Sequence, residues 1–508
     1  MHREGVRPVV LPQTMGPGVA FRDLDGDGLA DLVFVQGAGE RDDLIGPAPH
    51  FTYLRNMGDG TFADATSASG LDVSGWGMGV LAADLDNDGD QDLVFTFYGK
   101  SPAAYENLGD GTFRPFTKPL PPDERGGQPF GTGLCAFDAF GSGLLSVYAL
   151  GYVEVPRSRI GTQSGGVAIK GNWQPRGLSP YLPLARPSQF FENRGGLVFR
   201  ERAREVGLAN AQAKGLAALT VPGDAGCDLF VANDVTPCAL FHRVDGRYED
   251  QAVAAWVAEV AGSMGLALCD YDHDGQLDVF CARWVQENHA LYRANRRRDG
   301  ARYFTNMAQI TGLADLGTDH VGWGCAFLDV DGDGWEDLVV LEGHTYVDET
   351  HLKLVPQPPL VLLSQGGQRF VRLPAEPGSL LATPLTARGA AFADYDNDGA
   401  VDVAIAQNRG PARLWHATPP PGHWVGLELS GSAGNRDAVG AVVRVTAGPL
   451  KLTHALTSGD SYLSTSSPRL IFRIAGETSA KATVTWPDGR VLEVPEVALD
   501  HLTRVVEP

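Results

Sequence analysis

The chain has 508 residues, with 41 Lys and Arg against 62 Asp and Glu and a formal net charge of −21. At 43% hydrophobic residues it is too apolar for a disordered acidic tail, and its acidity lacks the basic footprint that phosphate backbones require, so no nucleic-acid partner is expected. The length asks for more than one domain, and 63 Gly with 33 Pro favour short strands and turns over long helices.

Read from the start, Met1-His-Arg-Glu-Gly-Val-Arg-Pro8 carries charge but no apolar stretch behind it, so no signal peptide is visible. No run approaches the ~20 apolar residues of a membrane span. The first distinctive element is Asp23-Leu-Asp25-Gly-Asp27-Gly28, closing on Asp31. The same pattern returns with Asp84, Asp86, Asp88, Gly89 and Asp92, and with Asp270, Asp272, Asp274, Gly275 and Asp278. It returns again with Asp329, Asp331, Asp333, Gly334 and Asp337, and with Asp394, Asp396, Asp398, Gly399 and Asp402. Apart from the 20 Asp of this pattern, 42 acidic residues face 41 basic ones, so the excess charge is local. Two weaker copies, at Asp138-Ala-Phe140-Gly-Ser142 ending on Ser146 and at Thr220-Val-Pro222-Gly-Asp224 ending on Asp228, fill the gap between the second and third strong loops. The seven starts are spaced by 61, 54, 82, 50, 59 and 65 residues.

Flanking features repeat in register. Gly-rich approaches such as Gly75-Trp-Gly-Met-Gly79 and Gly322-Trp-Gly324 precede the loops, and β-type runs such as Leu93-Val-Phe-Thr96 and Leu338-Val-Val-Leu341 follow them. Beyond these come hairpin signals, Asn56-Met-Gly-Asp-Gly-Thr-Phe62 and Asn107-Leu-Gly-Asp-Gly-Thr-Phe113. Strand, acidic loop, strand, turn, strand, hairpin, strand, seven times over, predicts an all-β fold: a seven-bladed β-propeller over 1–419. The seventh copy stops after its third strand near Trp415, and Val9-Val-Leu11 is expected to complete it. Residues 151–187 read as an inserted surface loop. Pro419-Pro-Pro-Gly422 marks a junction, and the short alternating runs of 423–508 predict a small β-sandwich.

Four carboxylates within nine residues repel one another unless a cation sits among them. A hard cation fits: Ca²⁺ takes about six to eight oxygens from carboxylates, carbonyls and water, whereas Mg²⁺ prefers few carboxylates. Positions 1, 3, 5 and 9 of each loop offer carboxylates. The position-seven carbonyls of Leu29, Asp90, Gln276, Trp335 and Ala400 offer a further oxygen, so about five Ca²⁺ sites are expected. An EF-hand would need Glu at position 12, where Phe34, Phe95, Cys281, Val340 and Ile405 stand instead. The weak third and fourth loops lack most ligands. Of the six cysteines, Cys135, Cys269 and Cys325 read as small buried residues, and Cys227 and Cys238 flank a run in which a hairpin would let them face each other.

On these motifs the chain resembles proteins with FG-GAP/VCBS-type repeats, as in integrin α-subunit propellers. Its tail, with Asn435-Arg-Asp-Ala-Val-Gly-Ala441, Ser458-Gly-Asp-Ser-Tyr-Leu-Ser464 and Thr485-Trp-Pro-Asp-Gly489, is similar to the ASPIC/UnbV domain. Together they resemble the cartilage-acidic-protein-like family over nearly the whole chain. Thr465 and Arg473 depart from that family's Gln and Gly, and no Cys-rich module follows the tail. The resemblance implies a calcium-binding, extracellular or periplasmic propeller with an adhesive or recognition role. UnbV-type members of enediyne biosynthetic clusters add an alternative, an enzyme or accessory protein of natural-product or glycan processing with an axial site. No nucleophile elbow, zincin helix or phosphate loop appears. Glu287 near His289, His320 and His344 are the side chains that could line a channel, while Trp76, Met78 and Trp323 read as core. The partner class is a protein, glycan or small molecule at a propeller face.

Overall fold

The computed structural model describes residues 12–37, 51–123, 129–154, 166–169, 172–175, 184–223, 226–345, 347–348, 353–432 and 434–508. Their structure is almost entirely β, with α-helical turns only at Pro12–Met15 and Ala203–Val206. Among the described residues no helix is long and apolar enough to cross a membrane.

Seven antiparallel sheets follow one another along the chain, each built in sequence order. Their first strands are Val19–Arg22, Trp76–Ala83, Gly131–Phe137, Gly215–Gly223, Val260–Cys269, Gly322–Leu328 and Ala387–Ala393. Sheets one to six carry four strands in this meander and sheet seven carries three, ending at Arg413–Trp415. The Val9–Leu11 segment expected to complete it lies outside the described residues. Sheets four and five are joined where Asp234–Pro237 pairs with Val260–Gly262.

The first strands of successive sheets touch one another in chain order, and that of sheet seven returns to that of sheet one. The array is therefore closed. Apolar residues on both faces of each sheet are packed against the neighbouring sheets. Leu93, Phe95 and Phe97 face sheet one, whereas Val94 joins the cluster shared with sheet three. Residues 92–98 and 387–393 are consequently buried at every position, as expected of strands covered on both sides. Within the span of the expected insertion, Gly166–Ile169 pairs with Asn172–Pro175, and most of the remainder of 151–187 lies outside the described residues.

The tail forms two sheets. One orders Leu470–Arg473, Trp424–Ser430 and Leu502–Val506, the last pair parallel; the other orders Leu450–Ala455, Val442–Ala447, Ala480–Thr485 and Val491–Val497. Val425, Leu427 and Phe472 from the first meet Val443, Val445, Leu452 and Val484 from the second in a core of their own. Between 455 and 470 the chain leaves these sheets and runs into the centre of the closed array, where Ala20, Leu266 and Ala390 bridge to Thr465, Ser461 and Tyr462.

Of the six cysteines, Cys135, Cys269 and Cys325 are buried as expected, whereas Cys227 and Cys238 do not face each other. All six are free. The antiparallel pairing of Phe230 with Leu240 and Val231 with Ala239 brings Cys238 back opposite Ala232, five residues along the strand from Cys227, and at about 3.3 Å per residue that is roughly 16 Å, beyond disulfide reach. Cys238 instead lies 3.4 Å from the Ser263 hydroxyl.

Candidate metal centres

Each acidic loop joins the first and second strands of its sheet, and its peptide geometry repeats. The sixth-position glycine N–H donates to the first Asp at 2.9 Å in Gly28, Gly89, Gly275 and Gly399 and at 2.7 Å in Gly334. Those glycines have φ between +84° and +106°, which an L side chain rarely adopts. The N–H of Leu29, Asp90, Gln276, Trp335 and Ala400 donates to the fifth-position Asp at 2.8–2.9 Å. A second left-handed position, the fourth, is filled by Gly26, Asn87, His273, Gly332 and Asn397. Gly and Asn there were a readable signal, since they tolerate that conformation best.

Position nine has an additional structural task. One oxygen of Asp31, Asp92, Asp278 and Asp337 accepts the third-strand N–H of Asn56, Asn107, Ala294 and Ser364 at 2.7–2.9 Å, and Asp402 accepts that of Ala417, two residues past its third strand, at 2.7 Å. These carboxylates clamp the third strand to the loop. Positions 1, 3 and 5 bring oxygens within 4.8 Å of one another in the loops of Asp23, Asp84 and Asp329. The fifth sheet groups Asp270, Asp272 and Asp278 in this way, and the seventh groups Asp396, Asp398 and His416.

What stands over each cage is set by the residue just before the clamp: Arg55, Glu106, Arg293, Leu363 and His416. Arg55 reaches Asp25 and Asp27, Arg293 reaches Asp272 and Asp274, and His416 lies 3.0 Å from Asp396. The loops of Asp84 and Asp329 receive no cation from that position. The Asp84 loop instead has Glu106, which accepts two hydrogen bonds from Arg114 at 2.8 and 2.6 Å; Asp86 is raised chiefly by burial and by Asp88, with Glu106 the least of the causes.

Burial strains these carboxylates electrostatically. It pushes Asp92 and Asp278 up to about 9, Asp31, Asp84, Asp329, Asp337 and Asp402 to about 7, and Asp270 and Asp394 to about 6. Neighbouring Asp charges add to the effect. In the fifth sheet Asp270 Oδ1, Asp272 Oδ1 and Asp278 Oδ2 are buried without a hydrogen-bond partner.

The third loop keeps the turn and replaces the charge, whereas in the fourth residues 220–223 pair as a strand with 226–229. Asp138 still accepts from Gly143 N–H at 2.7 Å, and Ser146 Oγ clamps Asn193 N–H at 3.2 Å. Asp228 pairs with His242 at 2.6 Å and Arg302 at 3.3 Å. The channel candidates do not assemble into an open catalytic group. His320 pairs with the fully buried Glu342, His289 Nδ1 accepts Arg283 N–H at 3.0 Å, and Glu287 accepts Gly262 N–H at 2.7 Å. Burial drives His289 down to about 3 and His344 to about 4, so both are neutral. Met78 and Trp323 sit in one apolar cluster, with Trp76 packed against it.

The tail packs on the loops. Arg436 donates to Asp88 O at 2.8 Å, Arg473 to Gly399 O at 3.1 Å, and Asp437 accepts Asp84 N–H at 2.9 Å. Glu336 is 5% exposed and lies between His273 at 3.2 Å and the tail's His454 at 2.8 Å. Burial opposes its charge, yet the two imidazoles hold the carboxyl down to about 2, and His273 is raised in turn despite its own burial. A raised histidine contributes stability below its unfolded value of about 6.5 and loses it as pH rises through the folded one. Glu336→Gln should therefore cost about 3 kcal/mol at pH 6 and clearly less at pH 9. Paired thermal melts at the two pH values measure this, and an equal loss at both would refute the ion-pair account.

With this geometry in place, the comparisons are specific. The chain matches the FG-GAP-like repeat over residues 23–95 and 84–149, and the ASPIC and UnbV family over 431–508. It is 24% identical to cartilage acidic protein 1 of Mus musculus over 517 aligned residues, covering 98% of this chain and 74% of that protein. The Homo sapiens protein of the same name is 23% identical, with 86% of this chain and 63% of that one covered. Among solved structures, BBS1N in complex with ARL6DN aligns with a TM-score of 0.44 and 12% identity over 82% of this chain and 98% of that one. The chain is thus an all-β, FG-GAP-repeat homologue of cartilage acidic protein 1 with an ASPIC/UnbV tail.

Proposed function

We propose that the seven sheets are the blades of a β-propeller whose five acidic loops bind structural Ca²⁺, with the tail as a β-sandwich, and that the protein is a recognition or adhesion module working in an extracellular or periplasmic, calcium-rich compartment. The observation that carries the metal reading is the fifth-sheet cage. Asp270 and Asp278, 1% and 0% exposed, each hold a partnerless carboxylate oxygen, and Asp272 brings a third. Residues from this cage lie within 4.8 Å of one another. Three buried oxygens with no donor suit a hard cation with its six to eight oxygen ligands, and the carbonyl of Gln276 would join them. Asp23, Asp25, Asp27, Leu29 and Asp31 would serve the first loop in the same way, and the corresponding residues the loops of Asp84, Asp329 and Asp394.

Bound Ca²⁺ supplies no chemistry in this reading. It cancels carboxylate repulsion and fixes the strand-to-strand turn, so its binding energy becomes folding energy. The axis of the array is filled by the chain's own residues 458–467, which weighs for recognition over an axial catalytic site. A cleft of about 600 Å³ between the third and fourth loops and the tail, lined by Arg243 and Arg490 with Tyr248 and Trp486 themselves buried, offers cationic groups to an oxygen-rich partner such as a glycan.

Calorimetric titration of metal-free protein with Ca²⁺ tests the reading. About five ions per chain are expected, and Asp270→Asn with Asp278→Asn should remove one. The absence of saturable binding would overturn it.

A further inference from the structure

The tail segment 457–467 is an excursion of more than ten residues without regular structure between the strands Leu450–Ala455 and Leu470–Arg473. Ordered loops of that length inside a compact fold are uncommon and usually have a task. This one is buried at Ser458, Ser461, Tyr462, Leu463, Ser464 and Thr465, with Ser461 and Tyr462 at 0% exposure.

Its contacts are distributed evenly around the array. The first strand of a sheet has an unpaired edge facing the centre, and its N–H groups need acceptors. Every one of the seven first strands finds one on this segment. In sheet one, Val19 donates to Ser464 Oγ at 3.2 Å and Phe21 to Thr465 O at 2.9 Å. In sheet two, Val80 donates to Leu463 O at 3.1 Å and Ala82 to Thr465 Oγ1 at 3.3 Å. In sheet three Ala136 reaches Ser458 Oγ at 2.8 Å, and in sheet four Thr220 reaches Ser458 O at 3.2 Å. Sheet five gives Leu266 to Ser461 O at 3.0 Å, sheet six gives Cys325 to Ser461 Oγ at 3.2 Å, and sheet seven gives Phe392 to Ser466 Oγ at 3.3 Å.

The composition fits the task. A hydroxyl both donates and accepts, so Ser and Thr can serve two backbone groups at once. Ser461 Oγ takes Cys325 N–H and gives its own proton to Ala390 O at 2.7 Å, and Thr465 Oγ1 takes Ala82 N–H and gives to Val80 O at 3.0 Å. Gly459, at φ +85°, passes so close that a Cβ would lie 2.0 Å from Ala218 O. At the tip, Tyr462 meets Trp323 edge-on at 4.8 Å, and Leu463 lies among Met15, Met78 and Met264.

We propose that residues 457–467 are the axial keystone of the array: the seven sheets close on this segment as well as on one another, and the ASPIC/UnbV tail is a folding partner of the sheets rather than a separable module. The inference rests on these contacts and stands whether or not the acidic loops bind calcium. Thr418 and Pro419 are exposed, so a protease site inserted between them cuts the full-length folded protein at the junction.

In metal-replete buffer the two fragments should co-elute after cleavage. The sheet fragment, isolated in denaturant and refolded alone, should lack a cooperative melt and regain it when the tail fragment is added. A sheet fragment that separates after cutting and melts at the parent temperature would overturn the proposal. Two variants of the uncut chain remain informative if refolding fails. Ser461→Ala strips acceptor and donor from two sheets and should lower Tm by roughly 2–4 °C. Ser479→Ala, at an exposed position outside the segment, should leave it unchanged. Equal melting of these two variants would also refute the keystone.

Discussion

Removing divalent cations should lower the melting temperature by on the order of 15–25 °C. A site filled at a hundred times its dissociation constant adds about 2.7 kcal/mol to stability, and five such sites act on one fold. Loss of cation leaves the carboxylates of each loop with the groups already present: Arg55, Arg293 and His416 from the third strand or just beyond it in three loops, and only the tail's Arg436 and Arg473 near the loops of Asp84 and Asp329. Those two loops should open first. Because Asp437 and Arg436 dock on the Asp84 loop, their opening should loosen the tail. Differential scanning calorimetry with and without chelator reads the shift directly. An identical melt in both buffers would end the structural-calcium reading.

The second large effect is a reversal in the sign of the pH dependence. In the metal-free protein, burial raises the loop carboxyls to between about 6 and 9, against about 3.9 in an unfolded chain. The folded state then binds more protons than the unfolded one. Its stability is fully present below the unfolded value and is lost as pH climbs through the folded ones. Metal-free protein, prepared by dialysis against a chelating resin, should therefore melt at progressively lower temperature from pH 5 to pH 9. With saturating Ca²⁺ the carboxylates must be ionised to ligate, and protons compete with the ion. The same protein should then melt lower as pH falls below about 6. Parallel rather than opposed slopes would show that the loops titrate without reference to a cation.

Several features were legible because they are local. The loop spacing announced repeated sheets, and the alternation of short apolar runs announced strands, since strand geometry is imposed on each repeat by its own residues. Gly at position six and Asn or Gly at position four mark left-handed turns that few other residues accept. The Asn56 and Asn107 hairpin signals fell where turns follow the third strands. Less legible were the roles within each loop. Position nine clamps a strand some fifteen to twenty-seven residues away, and the residue above the cage depends on strand register, so neither follows from the loop alone. Whether Cys227 and Cys238 face each other was decided in the same way: the chain does turn back after Asn233, but the register pairs Val231 with Ala239 and leaves Cys238 several residues along the strand from Cys227.

By itself, then, the sequence determined an all-β repeat architecture, the acid-rich loops and the turn chemistry that shapes them, because hydrophobic period, glycine placement and charge crowding act over a few residues. Only the tertiary structure decided what fills the axis. The two departures from the family pattern, Thr465 and Arg473, appear in sequence as unexplained substitutions. In the structure Thr465 bridges Val80 and Ala82, and Arg473 reaches Gly399 across the junction. Hydrogen-bond partners separated by 74 to 385 residues leave no period to read, and it is the closure of seven sheets around one point that brings them within 3 Å or so of each other.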